Sequence, residues 1–174
     1  MSAASPPVAF RPMPFELQTE RLALRLWDHS DAAGYRALVG ERGGPLPTLE
    51  EAAADIAGAR DSAPARGIHL LTIRRRDEDR FLGYCGLIIG RARIEEPEIA
   101  YELLRSAHGN GYATEAALAV IDAAVATGRQ RLWSTVGSWN TPSLRVLEKV
   151  GFHRDHATTG DRGEIVWMTR ELSG

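Results

Sequence analysis

The chain of 174 residues has a single cysteine, Cys85, so no disulfide can close within it. That suits a reducing compartment. The thiol sits in an apolar run from Phe81 to Ile89 and reads as a small buried side chain. Long hydrophobic stretches are missing too. No run approaches the ~20 apolar residues that cross a bilayer, so no membrane partner is expected. Charge of one sign is not in excess: 21 basic against 23 acidic residues leave −2. A domain that grips nucleic-acid phosphates carries a basic surplus, so no nucleic-acid partner is expected. His153 and His156 stand as a pair with no further ligand set, and no metal is expected. Residues 1–15 lack the basic start and apolar core of a signal peptide. They read as a flexible lead-in to a domain over residues 16–174, and the expected location is the cytoplasm.

What is present is ordinary for a globular chain: 44% hydrophobic and 25% charged residues. A chain of this length buries about 70% of its unfolded surface in one core. From Leu17 to Leu26 apolar and polar residues alternate, which predicts a half-buried strand. Asp31 is placed to cap a helix through Leu38, and Thr48 with Glu51 forms a capping box for a second, over about Leu49 to Arg60. Strands follow at Ile68 to Arg74, Phe81 to Ile89 and Glu98 to Leu104. A helix runs from Tyr112 to Thr127 with Leu118, Ile121 and Val125 on its apolar face. After a short strand at Leu132 to Val136, Thr141 reads as an N-cap with Pro142 at the first helical position. Two closing strands start at Phe152 and Glu164. The sum is one mixed α/β domain.

The stretch Arg105-Ser-Ala-His-Gly-Asn-Gly-Tyr-Ala-Thr-Glu115 joins a strand directly to a helix. Gly109 and Gly111 permit backbone angles that a Cβ resists. Alternating such residues turns successive N–H groups into one anion-holding concavity. The helix that follows adds its free N–H groups and the positive end of its dipole, and Ala113 is small enough to let a ligand approach. Taken alone, Gly-x-Gly is equally a tight turn. A P-loop would need Gly-Lys-Ser/Thr, and a dinucleotide fold a third glycine where Thr114 stands.

His108 to Ala116 resembles the pyrophosphate motif of the GNAT superfamily of N-acetyltransferases, in its RimJ/RimL-like branch. Glu98-Ile-Ala-Tyr-Glu-Leu103 resembles the strand before that motif, Asn140 to Phe152 the second acetyl-CoA segment, and Thr19 to Arg25 the opening strand. The resemblance implies a GNAT-like fold, a central twisted, mostly antiparallel sheet flanked by helices. It also implies acetyl-CoA as co-substrate and direct transfer of acetyl to a primary amine, either a protein N-terminus or a small molecule.

On the same ground the coenzyme is expected at Leu103, Leu104, Arg105, His108, Gly109, Asn110, Gly111, Tyr112, Ala113, Thr114, Asn140 and Ser143. Arg145 and Lys149 are further candidates for its outer phosphates. Glu98 is the candidate base, with Glu102 next. The two also fit a solvated acidic face, since Glu98, Ala100 and Glu102 alternate with Ile99, Tyr101 and Leu103. Ser143 is the candidate donor to the leaving sulfur, and equally a residue suited to a helix start. No tyrosine follows Asn140, where many members carry their general acid. That departure leaves a second reading, a non-catalytic acyl-CoA sensor. The branch commonly forms homodimers, which is the expected assembly.

Overall fold

The alternation of apolar and polar residues places strands where it was expected, and the structure, a computed structural model, describes residues 9–173. Residues 1–8 of the expected lead-in lie outside the described residues. From Ala9 to Pro14 the chain has no regular secondary structure. It is nonetheless tied down: Arg11 N–H donates to Thr127 O, Met13 N–H donates to Gly67 O, and Met13 is buried.

Eight strands make one sheet: β1 (Glu16–Gln18), β2 (Leu22–Arg25), β3 (Leu70–Arg75), β4 (Arg80–Ile88), β5 (Glu98–Leu103), β6 (Arg131–Gly137), β7 (His153–Gly160) and β8 (Gly163–Glu171). Their spatial order is β1-β2-β3-β4-β5-β6-β8-β7. The helices are α1 (Ala32–Glu41), α2 (Leu49–Arg66), α3 (Tyr112–Ala126) and α4 (Thr141–Lys149). No described helix is long and apolar enough to cross a membrane. Every neighbouring strand pair is antiparallel except β5 and β6. Those two run parallel and pair at one position, Glu98 opposite Trp133. Beyond it the ladder stops, and the Ser134 hydroxyl donates to the Ile99 carbonyl in place of a strand partner, at 3.1 Å.

The larger core lies under α3, where Ala116, Ala117, Val120, Ile121, Ala123 and Ala124 are buried against the sheet. The expected face centred on Leu118 is corrected: Leu118 is 46% exposed. Alanines count as core here because they let the helix sit close to the strands. A smaller core on the opposite face holds Trp27, Ala32, Leu38, Ala52 and Ile56 beneath α1 and α2.

Three boundaries also differ from expectation. The first strand breaks into β1 and β2 around Thr19, whose hydroxyl accepts from Leu22 N–H. Helix α2 runs on to Arg66 and carries Pro64 in its last turn, where the ring removes the N–H that would bond the Arg60 carbonyl. The N-cap of α4 is Asn140 rather than Thr141, its side chain accepting from Ser143 N–H. The Thr48 and Glu51 capping box forms as expected.

Asp31 makes no side-chain cap on α1. It is fully buried instead, with Arg25 Nη1 at 2.8 Å, Arg74 Nη1 at 2.8 Å and Asp28 N at 2.9 Å. One carboxylate thus ties β2, β3 and the entry to α1. Breaking a buried pair by removing one partner costs ~3–5 kcal/mol. Arg25 and Arg74 keep some contact with water, which puts Asp31→Ala near the lower figure. Urea unfolding should show a loss of about 3 kcal/mol. A loss under ~1 kcal/mol would contradict the role given to this carboxylate.

Candidate active site

At the end of β5 the backbone leaves the sheet through a short 3-10 turn, Arg105–Ala107, and reaches the glycine loop before α3. Gly109 and Gly111 both have φ of +77°, the left-handed conformation that favours glycine. None of the backbone N–H groups from Gly109 to Thr114 meets an acceptor among the described residues; the first helical bond is Glu115 N–H to Gly111 O. Unsatisfied N–H groups at a helix start, gathered by two left-handed glycines, fit an anion.

The loop is held from outside by β1 and β2. Glu115 Oε1 accepts from the Thr19 hydroxyl at 2.6 Å and from Arg21 N–H at 2.9 Å, while Oε2 meets Arg21 Nε at 2.7 Å. Arg21 Nη1 reaches Asn110 O at 2.9 Å, and its guanidinium lies 4.6 Å from the Tyr112 ring centroid. Burial pushes the Glu115 carboxyl up, but the bonds from Thr19 and Arg21 outweigh it and hold it below the ordinary range.

The loop borders a cleft of about 480 Å³ between the end of β5, the start of α3 and α4. Of the residues expected at the coenzyme, Leu103, His108, Gly109, Gly111, Tyr112, Ala113, Thr114, Asn140 and Ser143 line it, and so does Lys149. The Tyr112 side chain is turned away and bonds Arg75, so its contribution is backbone. His108 Nε2 donates to Leu103 O at 3.0 Å.

Leu104, Arg105 and Asn110 are not brought to the cleft. Leu104 gives its N–H to Leu82 O. Arg105 turns to α1, bonding Glu41 through both its backbone and its guanidinium. Asn110 folds its amide back onto the carbonyls of Ala107 and His108. Arg145 is not among the lining residues either.

Glu98 is buried, at 4% exposure, and lines neither this cleft nor a neighbouring cavity. Its Oε1 accepts from Arg91 N–H at 2.5 Å and its Oε2 from the Thr135 hydroxyl at 2.8 Å. Glu102 does line the cleft, and Arg42 Nε meets its two oxygens at 2.9 and 3.0 Å.

Tyr101, which the sequence reading passed over, reaches α4 from β5. Its hydroxyl donates to Ser143 O at 2.9 Å and accepts from Ser143 Oγ at 3.1 Å. Burial pushes its phenol up to about 12. The strand alternation that puts Tyr101 on one face with Ile99 and Leu103 was the signal available for it. Cys85 is fully buried, and burial pushes its thiol well above the ordinary value, which leaves no reactive thiolate. Among the described residues no group of three or more His, Cys, Asp or Glu side chains is set to hold a metal. His156 bonds Asp155 and stacks on Trp167.

A family model described as an acetyltransferase (GNAT) domain matches residues 21–153. YkkB, an uncharacterised protein of Bacillus subtilis, is 34% identical over 90 residues, a match that spans 50% of this chain and 52% of that protein. The uncharacterised N-acetyltransferase p20 of Bacillus licheniformis is 25% identical over 152 residues, covering 80% of this chain and 83% of that one. An acetyltransferase from Agrobacterium tumefaciens superposes with a TM-score of 0.73 at 27% identity, over 94% of this chain and 98% of that one. The fold is shared with yncA of Salmonella typhimurium, solved with its cofactor acetyl-CoA (TM-score 0.71, 15% identity, 88% and 95% covered). RimJ of Mycobacterium smegmatis, solved with CoA-disulfide, also shares it (0.71, 21%, 86% and 81%).

The outer clamp makes its own prediction. Arg21→Ala removes three bonds to the loop and the first turn of α3. Exchange of the Glu115 amide, the first one bonded, should quicken about tenfold, equivalent to ~1.4 kcal/mol of local opening, with the rest of α3 unchanged. Unaltered exchange at Glu115 would mean that the loop is held by its own backbone.

Proposed function

The chain belongs to the GNAT acetyltransferase family, and on that premise we propose that it moves the acetyl group of acetyl-CoA onto a primary amine by direct attack. The observation that carries this reading is the run of unpaired N–H groups from Gly109 to Thr114, all but Asn110 of which belong to residues lining the cleft. A pyrophosphate is the anion such a nest takes. Lys149, on the same cleft, offers a charge to an outer phosphate. Bound there, acetyl-CoA supplies an activated thioester. Asn140, whose amide nitrogen makes no bond among the described residues, is free to hold the pantetheine arm. The gap between β5 and β6 leaves room for that arm beside Leu103.

Two groups of the chain do the remaining work. A primary ammonium has a pKa of about 10.4 and must lose a proton before it attacks. Glu102 takes that proton, directly or through a water. It replaces Glu98 because Glu102 lines the cleft, whereas Glu98 is buried away from it, bonded to Arg91 and Thr135. Ser143 and Tyr101, whose hydroxyl protons serve Tyr101 Oη and the Ser143 carbonyl in the free protein, turn one of them to the leaving sulfur. A phenol at about 12 keeps its proton beside a thiolate of ordinary pKa, about 8.5, so it can only hydrogen-bond the leaving sulfur, which takes up, through solvent, the proton released by the amine nitrogen. Tyr101 thereby weakens the ground for the sensor reading, which rested on the lack of a tyrosine after Asn140. The cytoplasm, a RimJ/RimL-like affiliation and a homodimer belong to the same reading.

Glu102→Gln should lower kcat by ~10²–10⁴ in a thiol-release assay while acetyl-CoA affinity stays within a few-fold. Glu98→Gln should chiefly lower stability. The reverse pattern would return the base role to Glu98. Because Tyr101 keeps its proton below about 12, kcat should show no alkaline fall up to pH 10. A fall centred near pH 8 would contradict the part given to that phenol.

A further inference from the structure

On the α1 and α2 face of the sheet a second cavity, of about 320 Å³, opens above the smaller core. That is the low end of the ~300–1,000 Å³ range of small-ligand sites. Trp27, Tyr35 and Tyr84 wall it, with Ile56 and Ala59 of α2 closing one side. Tyr35 meets Trp27 edge-on, with ring centroids 5.9 Å apart at 90°, and Tyr84 lies 5.9 Å from Trp27 on another side. Such walls reward contact with flat or branched apolar groups.

The cavity is linked to the coenzyme cleft through the hydrogen bonds of Glu102. Glu102 lines the cleft, and on its other side it accepts from Tyr84 Oη at 3.4 Å and from Arg42 Nε. Tyr84 and Arg42 both line the cavity. An amine entering here brings its nitrogen to Glu102 while its body stays between the rings.

Charge narrows the class further. The cavity is lined by one carboxylate, Asp55, and one guanidinium, Arg42. A polyamine or amino sugar carries several ammonium groups and would meet Arg42 at the inner end with a single counter-charge beside it. A peptide N-terminus brings backbone amides, which apolar walls leave unbonded at a cost. Besides Asp55, the lining side chains that can accept are the Tyr35 and Tyr84 hydroxyls and His69, whose Nδ1 donates to Leu70 O at 2.7 Å and leaves Nε2 with the lone pair in the neutral ring. One small polar substituent is the most that Asp55 and His69 accommodate.

We propose that the acceptor is a small monoamine with an aromatic or branched apolar body, seated between Trp27, Tyr35 and Tyr84. This rests on the acetyl-transfer reading above. The amine nitrogen forms a bond to the acetyl carbonyl carbon and the carbon–sulfur bond breaks. The ammonium first gives one proton to Glu102, which passes it to solvent; the nitrogen loses a second proton as the amide forms, and the sulfur, leaving with the electron pair, takes up that proton through water.

The test is thiol release at saturating acetyl-CoA with 2-phenylethylamine, spermidine, kanamycin and a tetrapeptide with a free N-terminus. The expected result is a kcat/KM for 2-phenylethylamine at least ~10-fold above the other three. Ala59→Phe fills the cavity from α2 without removing a core group. It should raise the KM for 2-phenylethylamine ~10-fold or more and leave the acetyl-CoA Kd unchanged. Tyr35→Ala should act in the same direction. Preference for spermidine, kanamycin or the peptide would overturn the assignment, as would an unmoved KM in Ala59→Phe or no turnover of any probe despite acetyl-CoA binding. Failure to bind acetyl-CoA would instead overturn the acetyl-transfer reading on which it stands.

Discussion

The site depends on one interrupted pairing. Strands β5 and β6 are the sheet's only parallel neighbours, and they share one register pair before the ladder ends. Backbone groups that would be consumed by a continuous ladder are released along the cleft. The Ser134 hydroxyl, bonded to Ile99 O, and Trp133 N–H, bonded to Pro97 O, close the narrow end. Glu98 reinforces it from the other face through Thr135 and Arg91. Its burial is therefore structural: it secures the join from which the two strands part.

From that gap the remaining parts take their places. The glycine loop follows β5 immediately, so its N–H groups face the open end, while Thr19 and Arg21 brace the loop through Glu115. Helix α4 follows β6 after a short turn capped by Asn140, which brings Ser143 within reach of Tyr101. Successive residues of β5 then serve opposite faces: Tyr101 turns to α4, and Glu102 to Arg42 of the α1 end. On the proposed reading, one strand separates a coenzyme side from an acceptor side.

Much of this was legible in the residues. Element order, the mixed α/β class and the glycine loop followed from periodicity and from Gly109 and Gly111, because local conformation decides them. Side chains whose roles are set by distant partners were not legible. Asp31 looked like a cap because charge is ordinarily solvated, yet Arg25 and Arg74 make its burial tolerable. Arg105 looked like a phosphate ligand until Glu41 of α1 claimed it. Leu118 was assigned to the apolar face by its spacing with Ile121 and Val125; Ile121 is buried, but Leu118 is exposed and alanines do much of the packing. Glu98 and Glu102 alternate identically in sequence, and only the neighbours across the sheet separate one from the other.

The central claim is that the loop from Gly109 to Thr114 holds the pyrophosphate of acetyl-CoA. Calorimetric titration of the unaltered protein and of Gly109→Asp tests it most directly. At Gly109 nothing lies within 4 Å of an added Cβ, whereas one at Gly111 would stand 3.5 Å from Arg21 Nη2 and find a counter-charge. Aspartate also tolerates the left-handed backbone better than most residues. The account predicts saturable binding of acetyl-CoA by the unaltered protein and a loss of at least ~100-fold in the folded variant, where a carboxylate occupies the nest. Equal binding by both would contradict it.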